Sequence, residues 1–149
     1  MLKEELQKLF SNNKGVVKYH TLRRSNIISF NLTPERDGFV CSKGSAVYLF
    51  NTMDGLAHEI ELMAKYNKDG KVYYGANRAR NGIKLGDDPA FENTLDGIIN
   101  RRCFNKKDGD SVFAASTFIA ALLEKVGYAV MHSSDGEDAY ITLTGKFKF

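Results

Sequence analysis

His58 and Ser116 are the residues of this sequence whose types suit proton transfer and nucleophilic attack. An imidazole acts as a base near neutral pH, and a serine hydroxyl attacks a carbonyl once such a base takes its proton. Ser116 stands in the most apolar run of the chain, Val112–Tyr128, "VFAASTFIAALLEKVGY". Small residues at the start of a buried helix let a strand approach its first turn. There the unpaired N–H groups and the positive end of the dipole stabilise a thiolate or an oxyanion. Each residue also has a plain structural reading. His58 fits a strand or turn histidine, and a helical Ser116 would bond a carbonyl one turn back. His132 lies too close to the closing turn for a role. Glu59 and Glu61 flank His58, but adjacent strand residues point to opposite faces, and no spacing here matches a zinc site. No cofactor is expected.

A second chemistry is carried by basic residues beside asparagines. They fall in three places: Arg23 and Arg24 in "RRSN" at 23–26, Arg78 and Arg80 in "NRARN" at 77–81, and Arg101 and Arg102 in "NRRCFNKK" at 100–107. Aromatics accompany them: Tyr19, Phe30, Phe39, Tyr48, Phe50, Tyr73 and Tyr74. A strand surface with aromatics beside arginine stacks bases and holds phosphates, as in single-strand binders. In the alternative, the aromatics fill the core and the arginines dot the surface. The net charge of only +3 favours that alternative. Convergence of the clusters on one face would favour a nucleic-acid or protein-binding module.

The elements that must position these residues follow from hydrophobic period and turn residues. Leu2, Leu6, Leu9 and Phe10 have helical spacing, stopped at Ser11–Gly15. Val16–Leu22 and Ile27–Leu32 predict a hairpin, and Phe39–Cys41 and Ala46–Phe50 predict short strands. Leu56–Tyr66 suits either a helix or a strand. Its flanks, Asp54-Gly55 and Asp69-Gly70, favour a strand, and so predict a meander over 46–51, 56–65 and 71–76. Asp87-Asp88-Pro89 starts a helix that leads to Phe91, Leu95, Ile98 and Ile99. The apolar run is the last helix, stopped by Gly127. A hairpin of 129–132 and 139–143 closes the chain around Asp135-Gly136. The sum is one α+β domain over 1–149, an antiparallel sheet packed against a buried central helix.

Composition removes several classes. The chain has 149 residues, enough for one domain, with the charge and apolar content of an ordinary globular protein. No run reaches the ~20 apolar residues of a membrane span. The start "MLKEELQKLF" carries acids and no long apolar block, unlike a secretory signal. Cys41 and Cys103 lack metal spacing and suit free thiols in a reducing compartment, so a cytoplasmic location is expected. A helix followed by a hairpin also suggests a winged helix. A helix that reads the major groove must show polar side chains to base edges, however, and this one is apolar on every face of its middle. It belongs inside the domain.

Over roughly residues 46–128 the sequence resembles the circularly permuted branch of the papain-like hydrolases, the NlpC-type superfamily. "HEIELMAKYNKDGKVYYGANRARNGIKL" resembles the strand bearing the catalytic histidine, its turn and the next strand. "PAFENTLDGIINR" resembles the amphipathic helix that follows, and "ASTFIAALLEKVGY" the nucleophile helix. The resemblance implies hydrolysis of an amide or ester in peptide, peptidoglycan or lipid. His58 would be the base, position 115 the nucleophile site and Ser116 the family's usual serine, with the helix N-terminus as oxyanion donor. The chain departs from the pattern at two places. Ala115 stands where the family carries cysteine. The third polar position falls on Gly75, with Asn77 the nearest polar candidate. The resemblance therefore implies an inactive form, with His58 and Ala115 meeting at one end of a cleft.

Overall fold

A computed structural model of the chain describes residues 1–20, 27–42, 44, 46–132 and 139–145. The fold is α+β, with two antiparallel sheets and helices packed against them. Helix α1 (Leu2–Asn12) buries Leu2, Leu6 and Phe10, the face its spacing predicts. Strands β1 (Val16–His20), β2 (Ile27–Thr33), β3 (Gly38–Cys41) and β4 (Val47–Leu49) form a meander in the order β1-β2-β3-β4. Asp37 turns the chain between β2 and β3 with a left-handed backbone, φ 51°. Phe39 stacks on Tyr48 across β3 and β4, with ring centroids 5.2 Å apart, and Phe10, Phe30 and Phe50 close around them.

The strand expected over 56–65 is a helix instead, α2 (Met53–Tyr66). Met53, Leu56, Ala57 and Ile60 recur at helical spacing and all are buried. The alternating set fails at Leu62, which is 48% exposed. Asp54 belongs to the first turn of α2, where a carboxylate favours the dipole, and its Oδ1 accepts the Lys3 N–H at 3.0 Å. The Asp54-Gly55 pair is thus a helix start and not a hairpin turn. The expected middle meander does not form.

Strand β5 (Val72–Tyr73) pairs with the closing hairpin instead, and the second sheet has the order β5-β7-β6, with β6 (Ala129–His132) and β7 (Tyr140–Leu143). Between them run α3 (Ala76–Arg80), α4 (Pro89–Glu92), α5 (Leu95–Arg102) and α6 (Ser116–Lys125). The single helix expected from Pro89 is two. It breaks where the Thr94 hydroxyl caps α5, accepting the Gly97 N–H and donating to the Phe91 carbonyl.

Helix α6 is the central buried helix. It packs on β6, on α5 and on β1, so it lies between the two sheets, with Ile119–Leu123 all buried. One apolar core joins α1, both sheets, α2, α5 and α6. Cys41 and Cys103 are both buried and unbridged. Among the described residues no helix is long and apolar enough to cross a membrane.

Candidate functional site

Among the described residues Asp96 is the charged side chain most completely enclosed, with none of its surface exposed. It sits in the first turn of α5, and its own N–H donates to the Tyr74 carbonyl at 2.9 Å. Its Oδ1 accepts the N–H groups of Ala115 at 2.7 Å and Ser116 at 2.8 Å. Its Oδ2 accepts the Ser116 hydroxyl at 2.7 Å. The carboxylate therefore fills the anion position at the start of α6. Burial pushes its pKa up to about 6, against the lowering effect of those three hydrogen bonds and of the Arg80 charge. One turn on, the Asn100 amide holds both backbone groups of Phe113: Oδ1 accepts its N–H and Nδ2 donates to its carbonyl, each at 2.9 Å. Asp96 and Asn100 together stitch the 113–116 segment to α5.

This lock occupies the place the family resemblance assigns to a nucleophile and its oxyanion donors. Ala115 is 2% exposed and Ser116 is enclosed, with its hydroxyl committed to Asp96. The serine bonds a carboxylate from another helix, not a carbonyl one turn back. His58 is on α2, on the side away from the buried Leu56 and Ile60, and is exposed. A histidine on a strand facing position 115 was expected; the helical spacing turns it outward instead. No hydrogen bond joins His58 to Ala115 or Ser116 among the described residues. Asn77 belongs to α3, and its side chain lies outside the described set. Among the described residues no three His, Cys, Asp or Glu groups are placed to hold a metal.

The arginine clusters are largely committed to ion pairs. Arg101 grips Glu92 with two nitrogens, at 2.6 and 2.7 Å, and reaches Asp108 at 2.5 Å. Arg102 pairs with Glu59 at 2.5 Å, and Arg78 with Asp88 at 3.2 Å. Arg80 lies on α3 and is exposed. Arg23 and Arg24 fall outside the described residues. Of the candidate aromatics, Phe30, Phe39, Tyr48, Phe50 and Tyr74 are core, and Tyr19 gives its hydroxyl to Glu124. Tyr73 differs. On β5 it alternates with buried Val72 and so takes the outer face.

On that outer face Tyr73, Tyr140 and His132 stand side by side, paired in register across β5, β7 and β6. His132 and Tyr140 stack at 4.7 Å with planes 11° apart. That separation equals the spacing of neighbouring strands, so the two rings stand up from the sheet and cover each other's faces. Thr142 Oγ1 lies 2.8 Å from His132 Nε2, and the Lys71 ammonium lies 4.6 Å over the Tyr140 ring. The Tyr73 ring is tilted 56° to Tyr140 and lines a groove of about 600 Å³. Lys68, Asp69, Arg78, Asn93 and Thr94 line the same groove. Gly75 forms part of its wall with φ 74°, and a Cβ there would collide with the Thr94 side chain. Sequence reasoning had Tyr73 and Arg78 but missed Tyr140, His132, Lys68 and Lys71, because only strand register brings them together. It also missed Asp96 and Asn100, whose signal is two polar residues four apart inside an apolar helical pattern.

The chain matches no family model, no curated protein and no solved structure.

Proposed function

We propose that this chain is a non-enzymatic binding module for single-stranded nucleic acid, with the Tyr73 groove as its contact surface. The observation that carries the reading is one aromatic ring set beside two cations in an open groove. A base stacks on Tyr73 while Lys68 and Arg78 meet its phosphates. The Tyr140–His132 stack and Lys71 hold the row upright behind Tyr73. Lys68 has no ion pair among the described residues. Arg78 is half exposed, and its bond to Asp88 uses one nitrogen of its fork.

The topology is consistent with this reading. The order α2, β5, α3, α4, α5, α6, β6, β7, with strands laid β5-β7-β6, is the connectivity of a winged helix with two short helices, α3 and α4, inserted after β5. Helix α6 stands where that fold carries its major-groove helix, yet its middle is buried on all sides. The outer face of the small sheet is what remains for contact. A hydrolase reading needs His58 and position 115 in one cleft, and no observation favours it.

The test is fluorescence anisotropy with a labelled oligothymidylate of about twelve nucleotides, within the range of about 4–16 nucleotides that one single-strand site spans. Binding should weaken with salt, with a log–log slope of about −0.7 per phosphate contacted. Tyr73→Ala should weaken it by about 5- to 150-fold, the value of one stacked base. Lys68→Ala should flatten the salt slope by about one contact. Arg101→Ala should leave affinity unchanged, since that guanidinium is spent on Glu92 and Asp108. Absence of binding at low salt, or binding indifferent to Tyr73→Ala, rules the reading out.

A further inference from the structure

We infer that the free edge of β4 is a second binding site, which takes an extended acidic peptide as an added strand. β4 is the last strand of the larger sheet, and its inner side is used by β3. The Phe50 N–H donates to the Asp37 carbonyl, which makes Gly38–Leu49 and Val40–Val47 the wide pairs of the ladder and Phe39–Tyr48 the bonded pair. The backbone groups of Val47 and Leu49 therefore point away from β3. The Leu49 carbonyl accepts the Thr52 hydroxyl at 2.7 Å. The Val47 N–H, the Val47 carbonyl and the Leu49 N–H have no partner among the described residues. Three backbone groups in a row along an open edge are what an incoming strand pairs with.

The space beside this edge fits a peptide with alternating side chains. A groove of about 330 Å³ runs along it, with Val47 and Leu49 on one wall and Phe104 and Phe113 on the other. Phe113 is 47% exposed. An apolar side chain pointing inward would be buried between those walls, at about 25 cal/mol per Å² of apolar surface removed from water. The charged groups on the described lining are Arg36 and Lys106, with no carboxylate among them. Lys106 rests its ammonium 4.5 Å over the Phe113 ring and has no ion pair among the described residues. A strand that alternates apolar and acidic residues would satisfy the backbone edge, the apolar walls and the two cations together. A basic strand would bring like charges into contact. The site is separate from the Tyr73 groove and does not depend on it.

The experiment uses two labelled peptides of about eight residues, one alternating valine and glutamate and one alternating valine and lysine. In fluorescence polarisation against the whole chain, the acidic peptide should bind at least tenfold tighter than the basic one. The acidic peptide N-methylated at every second residue should lose at least tenfold, because it cannot complete the ladder. The double variant Arg36→Glu, Lys106→Glu should reverse the preference. Val47→Pro removes an outward N–H and should weaken binding with little change in thermal stability. Equal binding of the two peptides, unimpaired binding of the methylated one, or no binding at all overturns the proposal. So does sedimentation showing that a second copy of the chain already occupies the edge.

Discussion

At the scale of single residues, Asp96 holds the centre of the molecule. Its carboxylate satisfies two backbone donors and one hydroxyl that would otherwise be buried without partners. Asp96→Ala should cost at least about 3 kcal/mol in urea unfolding, since it orphans three donors at about 1–3 kcal/mol each. Asp96→Asn should cost less, because its one oxygen still accepts. The same group gives a pH dependence of definite sign. Its pKa is about 6 when folded, against 3.8 for an ordinary aspartate. Between those values the folded chain holds a proton that the unfolded chain has released. The stabilisation is therefore full below about pH 4 and lost as pH rises through about 6. Measured against Asp96→Asn, the native chain should lose on the order of 3 kcal/mol from about pH 4 to about pH 7. A difference that stays flat with pH would show that burial does not perturb this carboxyl. The importance of Asp96 is hard to read from sequence, because an acid in the first turn of a helix ordinarily signals an exposed cap. Only the arrival of residues 115 and 116 from the far end of a loop shows what it faces.

At the scale of elements, close backbone contact explains why the helix expected from Pro89 is two pieces. Gly97 in α5 lies so close to the Phe91 carbonyl of α4 that a Cβ would overlap it. Gly97→Ala should therefore destabilise by about 1–3 kcal/mol despite the better helix propensity of alanine, because the obstacle is backbone and cannot rotate away. A stabilised variant in thermal denaturation would mean that α4 is free to move. The elements that sequence period predicts well are those with an unambiguous apolar pattern: α1 with one buried face, α6 apolar all round, and the short strands of the two sheets. The failure at α2 has a physical cause. Within Leu56–Tyr66 both periods can be drawn, and the turn-like Asp-Gly pairs tipped the choice towards a strand. Met53, one turn before that window and beside the Asp54-Gly55 pair, completes the helical face. With α2 helical, His58 turns outward and the expected histidine–helix meeting is lost.

At the scale of the whole molecule, Glu124 binds the halves together. Its Oε1 accepts the Tyr19 hydroxyl from the larger sheet at 2.9 Å, and its Oε2 accepts the Met131 N–H from the smaller sheet at 2.7 Å. The shared core and this carboxylate predict one cooperative transition for both sheets. Tyr19→Phe should cost about 1.5–3 kcal/mol, the worth of a hydrogen bond to a charged group, with the urea m-value unchanged. Two transitions in Glu124→Ala would show that the halves fold separately. The proposed contact surface was only partly legible in the sequence. Aromatics and arginines were visible as types, but burial took most of the aromatics and ion pairs took most of the arginines.

The two buried cysteines acquire a meaning from this layout. Cys41 ends β3 in the larger sheet, and Cys103 caps α5 on the floor of the β4 groove. Burial pushes the Cys103 thiol up to about 11, so it stays protonated and a poor nucleophile while the fold is closed. Alkylating agents thus reach the two thiols only during opening, because both are buried in the closed fold. Thiol chemistry in this protein is therefore timed by its own breathing, and the peptide proposed for the β4 edge would slow that clock at Cys103, which lines the groove, and not at Cys41.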